Sequence, residues 1–338
     1  MPVSAAIYGC AGLHLTDNER TFFADADPWG FILFGRNIEN PAQVSALTSQ
    51  LRDLTGRDVP VLIDQEGGRV ARLRPPHWRK YPAGRLYGDI YARSSDDGLE
   101  AARLGARLIA AELRAVGINV DCLPVLDLPV AGAHDVIGDR AYSTTPEPVM
   151  ALARAAAEGL LDGGVLPVIK HIPGHGRAGV DSHKSLPRIG TDVKTLNRTD
   201  FVPFKALADM PLAMTAHVVY EAVDAAAPAT TSRVVIADII RGIIGFDGLL
   251  MSDDLSMQAL SGTLNERTRA SLKAGCDLVL HCNGRMEEMA AVADEVPMLA
   301  GEALRRSTAA LDRMGVPQDF DEGAALARFA ELTGTIWG

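Results

Sequence analysis

Short apolar runs that end in polar or glycine residues recur along most of the chain. Strands of a parallel sheet show this pattern, because both of their faces are buried. Eight runs are candidate strands, at residues 5–8, 30–34, 59–63, 118–122, 166–169, 212–215, 248–251 and 277–280.

Helix-like stretches lie between these runs, often with an acidic or hydroxyl residue placed to cap the start. They cover residues 41–55, 98–116, 146–163, 193–208, 232–244 and 265–274. This alternation predicts an α/β protein with a parallel sheet. Eight strands without a linker or a change in composition favour a closed (β/α)₈ barrel of the TIM type over an open doubly wound sheet.

Two further amphipathic stretches follow Asn283, at residues 286–314 with breaks and at 322–332. We expect them to form extra C-terminal helices that pack on the outside of the barrel. The chain is then a single domain, residues 1–338, with the barrel at about 1–295 and the C-terminal helices at about 296–338.

Composition narrows the class of protein. A hydrophobic content of 47% with 22% charged residues predicts a globular protein with a large core. A net charge of −10 disfavours nucleic-acid partners. No apolar stretch reaches the roughly 18 residues of a membrane span, and the first residues lack the regions of an export signal. We therefore expect no membrane contact and a cytoplasmic location.

The four cysteines predict no disulfide or zinc site. Cys10, Cys122, Cys276 and Cys282 are scattered in apolar surroundings without a Cys-x-x-Cys pair. Buried, reduced thiols fit this arrangement best.

Polar side chains follow the predicted strands at their carboxyl ends, where barrel enzymes carry out their chemistry. These residues are Asp64, Glu66, Asp127, Arg140, Lys170, His171, His217, Asp253, Asp254 and Asn283. Because the carboxyl ends of barrel strands meet on one face, we expect a shared site.

The segment after the third strand places two carboxylates, two glycines and two arginines together, at residues 64–72. Carboxylates accept hydrogen bonds from vicinal hydroxyls, and arginines supply forked donors. The segment therefore suits a polyhydroxylated ligand better than a phosphate, which Asp64 and Glu66 would repel.

The seventh strand runs directly into Asp253 and Asp254. One of them is suited to be a nucleophile, and its neighbour would face away to cap a helix or pair with a base. The pattern leaves open which is which.

Residues 170–183 read Lys-His-Ile-Pro-Gly-His-Gly-Arg-Ala-Gly-Val-Asp-Ser-His. In an extended loop the side chains of Asp181 and His183 lie on the same side and can form a hydrogen bond. The aspartate would fix the imidazole tautomer, so His183 could donate and then accept a proton.

A zinc site is the alternative use of these side chains, with His171, His175, Asp181 and His183 as ligands. No His-x-His follows the first strand, however, and Lys170 would oppose a bound cation. We therefore expect no metal and no other cofactor.

Three motifs occur in order: Asp64-Gln-Glu-Gly-Gly-Arg, Lys170-His-x-Pro-Gly-His-Gly with Asp181-Ser-His, and Ser252-Asp-Asp-Leu-Ser-Met. Over residues 30–283 the chain resembles the β-N-acetylhexosaminidase branch of glycoside hydrolase family 3. The resemblance implies a barrel that removes terminal β-linked N-acetylglucosamine with retention, through a covalent glycosyl-enzyme intermediate.

The resemblance also implies roles for single residues. Asp253 is the nucleophile, and His183, polarised by Asp181, is the general acid and then the base. The residues that grip the sugar hydroxyls and the N-acetyl group are Asp64, Arg72, Arg140, Lys170 and His171. Ile172, at a position where an aromatic is common, and a loop at 177–180 without acidic residues depart from the family pattern and leave the dyad intact.

The implied substrate is a small molecule, N-acetylglucosaminyl-1,6-anhydro-N-acetylmuramic acid and its peptides, cleaved in cytoplasmic peptidoglycan recycling by a monomer or weak homodimer. Three alternatives remain open. They are a phosphorylase of the same family, a non-catalytic muropeptide-binding protein and a metallohydrolase. The intact Asp181, His183 and Asp253 argue against the binding protein.

Overall fold

A computed structural model describes residues 3–335 of the chain. Eight parallel strands form a closed barrel in chain order, and the last strand pairs with the first. The strands are β1 Ser4–Gly9, β2 Pro28–Leu33, β3 Val61–Ile63, β4 Val120–Asp121, β5 Leu166–Ile172, β6 Leu212–Thr215, β7 Leu249–Asp254 and β8 Leu278–His281. All eight predicted strands are confirmed, and with them the (β/α)₈ barrel.

Side-chain alternation along each strand divides the core into two layers. Residues such as Leu62, Val168 and Met251 fill the barrel interior. Their neighbours, such as Ile63 and Ile169, pack under the surrounding helices. Because strands in a barrel are covered on both sides, they appear in the sequence as unbroken apolar runs.

Eleven α-helices surround the barrel in the described part of the chain. They are α1 Asp17–Ala26, α2 Pro41–Thr55, α3 Gly84–Tyr91, α4 Ser95–Ala115, α5 Pro146–Asp162, α6 Val193–Leu196, α7 Phe201–Ala206, α8 Leu264–Ala274, α9 Met286–Ala293, α10 Gly301–Asp312 and α11 Glu322–Thr333. Residues Val235–Ile244 form a π-helix, and single 3₁₀ turns lie at Gly35–Asn37, Gly138–Arg140 and Ala229–Thr231.

The predicted helix at 193–208 is divided into α6 and α7. Pro203 has no N–H to donate to a carbonyl four residues earlier, and its ring is tolerated only in a first helical turn. It lies in the first turn of α7, so a new helix begins at Phe201. Two two-residue strands, Arg188–Ile189 and Val219–Tyr220, pair beside the barrel and were not predicted.

The C-terminal helices differ in what they cover. Phe329 on α11 is fully buried in the outer layer, on the outside of the barrel as expected. In contrast, Ala310 on α10 belongs to the same buried cluster as the barrel interior, and Trp29 Nε1 at the start of β2 donates to Ser307 Oγ at 2.8 Å. Helix α10 therefore closes the amino-terminal end of the barrel. Across residues 3–335, we find no helix long and apolar enough to cross a membrane.

Candidate active site

A cleft of about 160 Å³ opens at the carboxyl ends of the strands. Its walls come from segments that follow β2, β3, β5, β7 and β8, together with more distant loops. The lining residues are Ile32, Phe34, Asp64, Glu66, Val70, Arg72, Arg140, Lys170, His171, His183, Met214, Asp253, Asp254, Met257, Leu280 and Cys282. Seven of the proposed site residues therefore share one cleft: Asp64, Arg72, Arg140, Lys170, His171, His183 and Asp253.

Strand alternation explains why Lys170 and Asp253 face the cleft. Leu166 and Val168 point into the barrel, so Lys170, two residues on, points the same way. The same count from Met251 brings Asp253 inward. His171 should face outward, but the register of β5 against β6 slips between Lys170 and Ile172, and the imidazole also reaches the cleft.

Five charged side chains form a continuous chain of ion pairs, which we call the ionic cradle: Asp64, Glu66, Arg72, Arg140 and Lys170. Lys170 Nζ lies 2.9 Å from Asp64 Oδ1 and 2.6 Å from Glu66 Oε1. Arg72 Nη2 donates to Asp64 Oδ2 at 2.8 Å. Arg140 binds Glu66 through Nε and Nη2 at 2.9 and 2.8 Å. Cations and anions alternate along this series of ion pairs.

Burial and pairing act against each other in the ionic cradle. Burial opposes ionisation of Asp64, but Lys170 and Arg72 outweigh it and hold the carboxyl pKa below its usual range. In the same way, Arg140 and Lys170 overcome burial and lower the pKa of Glu66 to about 2. Burial would also lower the pKa of Lys170, yet the two carboxylates raise it. The five groups are therefore charged at neutral pH, and their geometry is fixed by mutual pairing.

Asp253 faces the cleft with few protein contacts on its carboxylate. Its Oδ1 accepts a hydrogen bond from the Asp254 N–H at 2.8 Å. Burial opposes ionisation, but the imidazoles of His217 and His171 and that N–H favour it, so the pKa of Asp253 is lowered. An ionised carboxylate that points into the cleft is the form a nucleophile requires.

Asp254 is occupied by structural contacts. Its Oδ1 accepts from the Ser256 and Cys282 backbone N–H groups at 3.0 and 3.1 Å, and its Oδ2 accepts from Ser256 Oγ at 2.6 Å. These bonds tie the end of β7 to the turn that follows it and to the segment after β8. Asp253 therefore has a carboxylate with few protein contacts, whereas the Asp254 carboxylate is held by structural hydrogen bonds. The sequence had left open which of the two plays which part.

Asp181 and His183 form the expected hydrogen bond, with Asp181 Oδ1 2.9 Å from His183 Nδ1. The expectation that this loop is extended is wrong, however, because the segment forms a turn. Asp181 Oδ1 also accepts from the His183 backbone N–H at 3.0 Å, and the Asp181 carbonyl accepts from the Lys184 N–H at 2.9 Å. We call this segment, residues 181–185, the dyad turn. The His183 side chain is 67% exposed, so its Nε2 is open to a ligand in the cleft.

His171 is held from behind by Asp127. The fully buried Asp127 carboxylate lies 2.7 Å from His171 Nδ1 through Oδ2, and its Oδ1 accepts from the His175 backbone N–H at 2.6 Å. This pairing leaves His171 Nε2 as the ring nitrogen available on the cleft side.

Three strand-end residues do not line the cleft. Asp127 and His217 are buried behind it, and His217 Nε2 donates to the Asp254 carbonyl at 3.0 Å. Asn283 Oδ1 instead accepts from the Arg285 N–H, at the start of α9.

Several apolar residues of the cleft were missed. Phe34 is the clearest, because the Arg72 guanidinium lies 5.2 Å from the centre of its ring. Its position as the last residue of a predicted strand was the signal. Met257 ends the motif that begins at Ser252, whereas Met214 carried no comparable signal.

No group of three or more histidine, cysteine or acidic side chains is arranged to hold a metal ion within residues 3–335. His171 and His183 both line the cleft, but Asp127 and Asp181 occupy their Nδ1 atoms. All four cysteines are buried and free.

The sequence profile described as the glycosyl hydrolase family 3 N-terminal domain matches residues 11–313. A beta-hexosaminidase from Alkalilimnicola ehrlichii is 41% identical over 287 residues, which are 84% of this chain and 82% of that protein. A beta-hexosaminidase from Chromobacterium violaceum is 41% identical over 301 residues, or 88% and 84% of the two chains.

Solved structures show the same similarity. NagZ from Neisseria gonorrhoeae in complex with N-trifluoroacetyl-D-glucosamine superposes with a TM-score of 0.89 at 34% identity, covering 98% of this chain and 99% of that one. A family 3 β-N-acetylglucosaminidase from Paenibacillus sp. gives a TM-score of 0.86 at 31% identity, over 97% of this chain and 67% of the other.

Proposed function

Since the chain belongs to glycoside hydrolase family 3, we propose that it is a retaining exo-β-N-acetylglucosaminidase that uses Asp253, His183 and Asp181. The observation that carries the proposal is that an inward-facing carboxylate and an exposed imidazole share one cleft with the ionic cradle. The beta-hexosaminidases and β-N-acetylglucosaminidases to which the chain is similar support the choice of sugar.

In the first proposed step, Asp253 attacks the anomeric carbon of the terminal sugar while His183 Nε2 gives its proton to the glycosidic oxygen. The bond to the leaving group breaks, and a glycosyl ester with Asp253 forms. Asp181 supports this step because its carboxylate stabilises the protonated imidazole through Nδ1.

In the second step, His183 Nε2 removes a proton from water, and the resulting hydroxide attacks the anomeric carbon. The ester breaks, Asp253 regains its charge, and the sugar leaves with retained configuration. Most retaining glycosidases use a second carboxylate about 5–5.5 Å from the nucleophile. A neutral imidazole as the base has the advantage that it does not repel the negative charge that returns to Asp253 as the ester breaks.

The ionic cradle and His171 are proposed to hold the sugar. Asp64 can accept hydrogen bonds from neighbouring hydroxyls, while Arg72, Arg140 and Lys170 can donate to hydroxyl and amide oxygens. Because their pairing already fixes these groups, binding costs little additional ordering. Among natural substrates we favour N-acetylglucosaminyl-anhydromuramyl peptides, and hence a cytoplasmic role in peptidoglycan recycling, as the family resemblance implies.

The test is release of chromophore from a β-N-acetylglucosaminide, with the matching β-glucoside as the control substrate. We expect release from the first substrate only, unchanged by a chelator and yielding free sugar. Sugar phosphate formed in the presence of phosphate would indicate a phosphorylase. Loss of activity on chelation would indicate a metallohydrolase.

Asp253→Ala should abolish this turnover while the urea unfolding curve stays close to that of the wild type. A fluorinated glycoside that traps the intermediate should label a peptide containing Asp253 in the wild-type protein. A label on another residue would contradict the proposed nucleophile.

A further inference from the structure

Ser182 is buried within an otherwise open turn. It lies between Asp181 and His183 and is 3% exposed, whereas the other residues from Gly179 to Ser185 are exposed or half-buried. A short polar side chain that turns inward between two outward-facing functional groups requires a structural reason.

Two hydrogen bonds hold Ser182 in place. Its Oγ lies 3.1 Å from His175 Nε2, and its carbonyl accepts from the Ala259 N–H at 3.2 Å. His175 follows β5, which carries Lys170, and Ala259 follows β7, which carries Asp253. Ser182 therefore ties the dyad turn to both strands that bring reacting and binding groups to the cleft.

The first bond does not depend on which ring nitrogen of His175 carries the proton. Burial lowers the pKa of this imidazole to about 4, so the ring is neutral and carries one N–H at neutral pH. Its Nδ1 is buried and has no hydrogen-bond partner in the described part of the chain. The hydrogen bond forms in either tautomer: an Nε2–H donates to Ser182 Oγ, or the Ser182 hydroxyl donates to an unprotonated Nε2.

His175 is itself well anchored. Its backbone N–H donates to Asp127 Oδ1 at 2.6 Å, and its ring lies edge-on to His171 with centroids 5.6 Å apart. His175 is 3% exposed, so its Nε2 contacts Ser182 from a fixed position on the barrel.

From these contacts we infer that His175 and Ser182 are positioning residues, which hold the dyad turn so that His183 meets the glycosidic oxygen. His183 has little packing of its own, so the direction of its ring is set by the turn. Misplacing a catalytic group by about 1 Å can cost about 100-fold in rate. This inference rests on the proposed function.

The test compares Ser182→Ala with Ser185→Ala, an exposed serine of the same turn. The readout is kcat/KM across aryl β-N-acetylglucosaminides with leaving groups of different acidity. A poor leaving group needs the proton from His183, whereas dinitrophenolate leaves without it. We expect Ser182→Ala to lower kcat/KM about 10–100-fold for the poor leaving groups and less than about threefold for dinitrophenyl, a fraction of the full acid–base contribution. Ser185→Ala should match the wild type throughout.

A second comparison asks whether Ser182 acts through His183. In a His183→Ala background, adding Ser182→Ala should change kcat/KM by less than about twofold, because coupled residues are not additive. An equal loss across all leaving groups, or full additivity in the double variant, would overturn the inference while the proposed function stands. If wild-type protein hydrolysed no member of the series, the proposed function would fail, and this inference with it.

Discussion

The ionic cradle and the dyad turn contribute to the same cleft, but they differ in how deeply their charged side chains are buried and in how these are paired. In the cradle, Lys170 and Glu66 are 2% and 4% exposed, and each charge is paired with the next. In the dyad turn, His183 is 67% exposed, and its side-chain bond is to Asp181 two residues away. One region is fixed by the barrel, and the other is held at its surface.

The difference follows from the task proposed for each region. Charged groups taken out of water must be paired, or they neutralise. Such pairing also fixes them, as a site that recognises several hydroxyls requires. A proton donor must instead reach the bond between sugar and leaving group, and then a water molecule, so it needs an open position.

The largest contrast is expected in stability. Lys170→Met removes the cation between Asp64 and Glu66 and should lower the free energy of unfolding by about 3–5 kcal/mol, because a buried pair loses one partner. The matched control is Lys184→Met, an exposed lysine in the dyad turn, which should stay within about 0.5 kcal/mol of wild type. Urea unfolding measures both. Equal effects would show that the cradle is no more constrained than the turn.

Asp181→Asn should show the opposite combination, a large loss of activity and a small loss of stability. The amide oxygen can still accept a hydrogen bond from His183, but the negative charge that stabilises the imidazolium is lost. We expect kcat/KM for an unactivated glycoside to fall about 10²–10³-fold, within the usual range for acid–base catalysis. The unfolding free energy should change by less than about 1 kcal/mol, because the side chain lies on a surface turn.

Steady-state kinetics and urea unfolding on the same preparation separate these effects. The matched substitution is Asp192→Asn at the start of α6, an acidic residue away from the cleft, which should leave kcat/KM unchanged. A loss of stability as large as that of Lys170→Met would place Asp181 with the cradle instead.

Much of the barrel could be predicted because strands covered on both sides are unbroken apolar runs. The helices could be predicted less uniformly than the strands. The capping box at the start of α1 has a local signature, because Thr16 is followed three residues later by Glu19. Helix α3 begins without a side-chain cap, and the closure of the barrel by α10 depends on Trp29 and Ser307, which are 278 residues apart. Contacts of that kind have no local signature.

The site shows the same limit. Once the structure shows that Leu249 and Met251 face inward, counting by two puts Asp253, and not Asp254, on the inner face of β7. The apolar run alone does not show which of its residues face inward. The pairing of Arg140 with Glu66, 74 residues apart, could not be read in this way. Nor could the inward turn of Ser182, because turns in irregular segments follow no periodic pattern.

The smallest expected effect is a dependence of the unfolding free energy on pH, which arises from the ionic cradle. Glu66 has its pKa lowered from the usual value near 4.5 to about 2 in the fold, so its ionised form stabilises the native state. That contribution is complete above about pH 4.5 and is lost as the pH falls towards 2. A shift of this size corresponds to about 3 kcal/mol. In Glu66→Gln the titrating group is absent, and the variant should be less stable than wild type at pH 6.

The difference in unfolding free energy between wild type and Glu66→Gln, measured by urea unfolding, should therefore narrow steadily below pH 4.5. Asp181→Asn provides the comparison from the turn. The pKa of Asp181 is also lowered, by hydrogen bonds from His183 that outweigh its partial burial, but in a solvated position where screening weakens the effect. Its gap to wild type should be small at pH 6 and change little. A constant gap for Glu66→Gln would mean that this carboxylate is not held ionised by Arg140 and Lys170, and the contrast between a paired, buried cradle and an open turn would then lose its electrostatic basis.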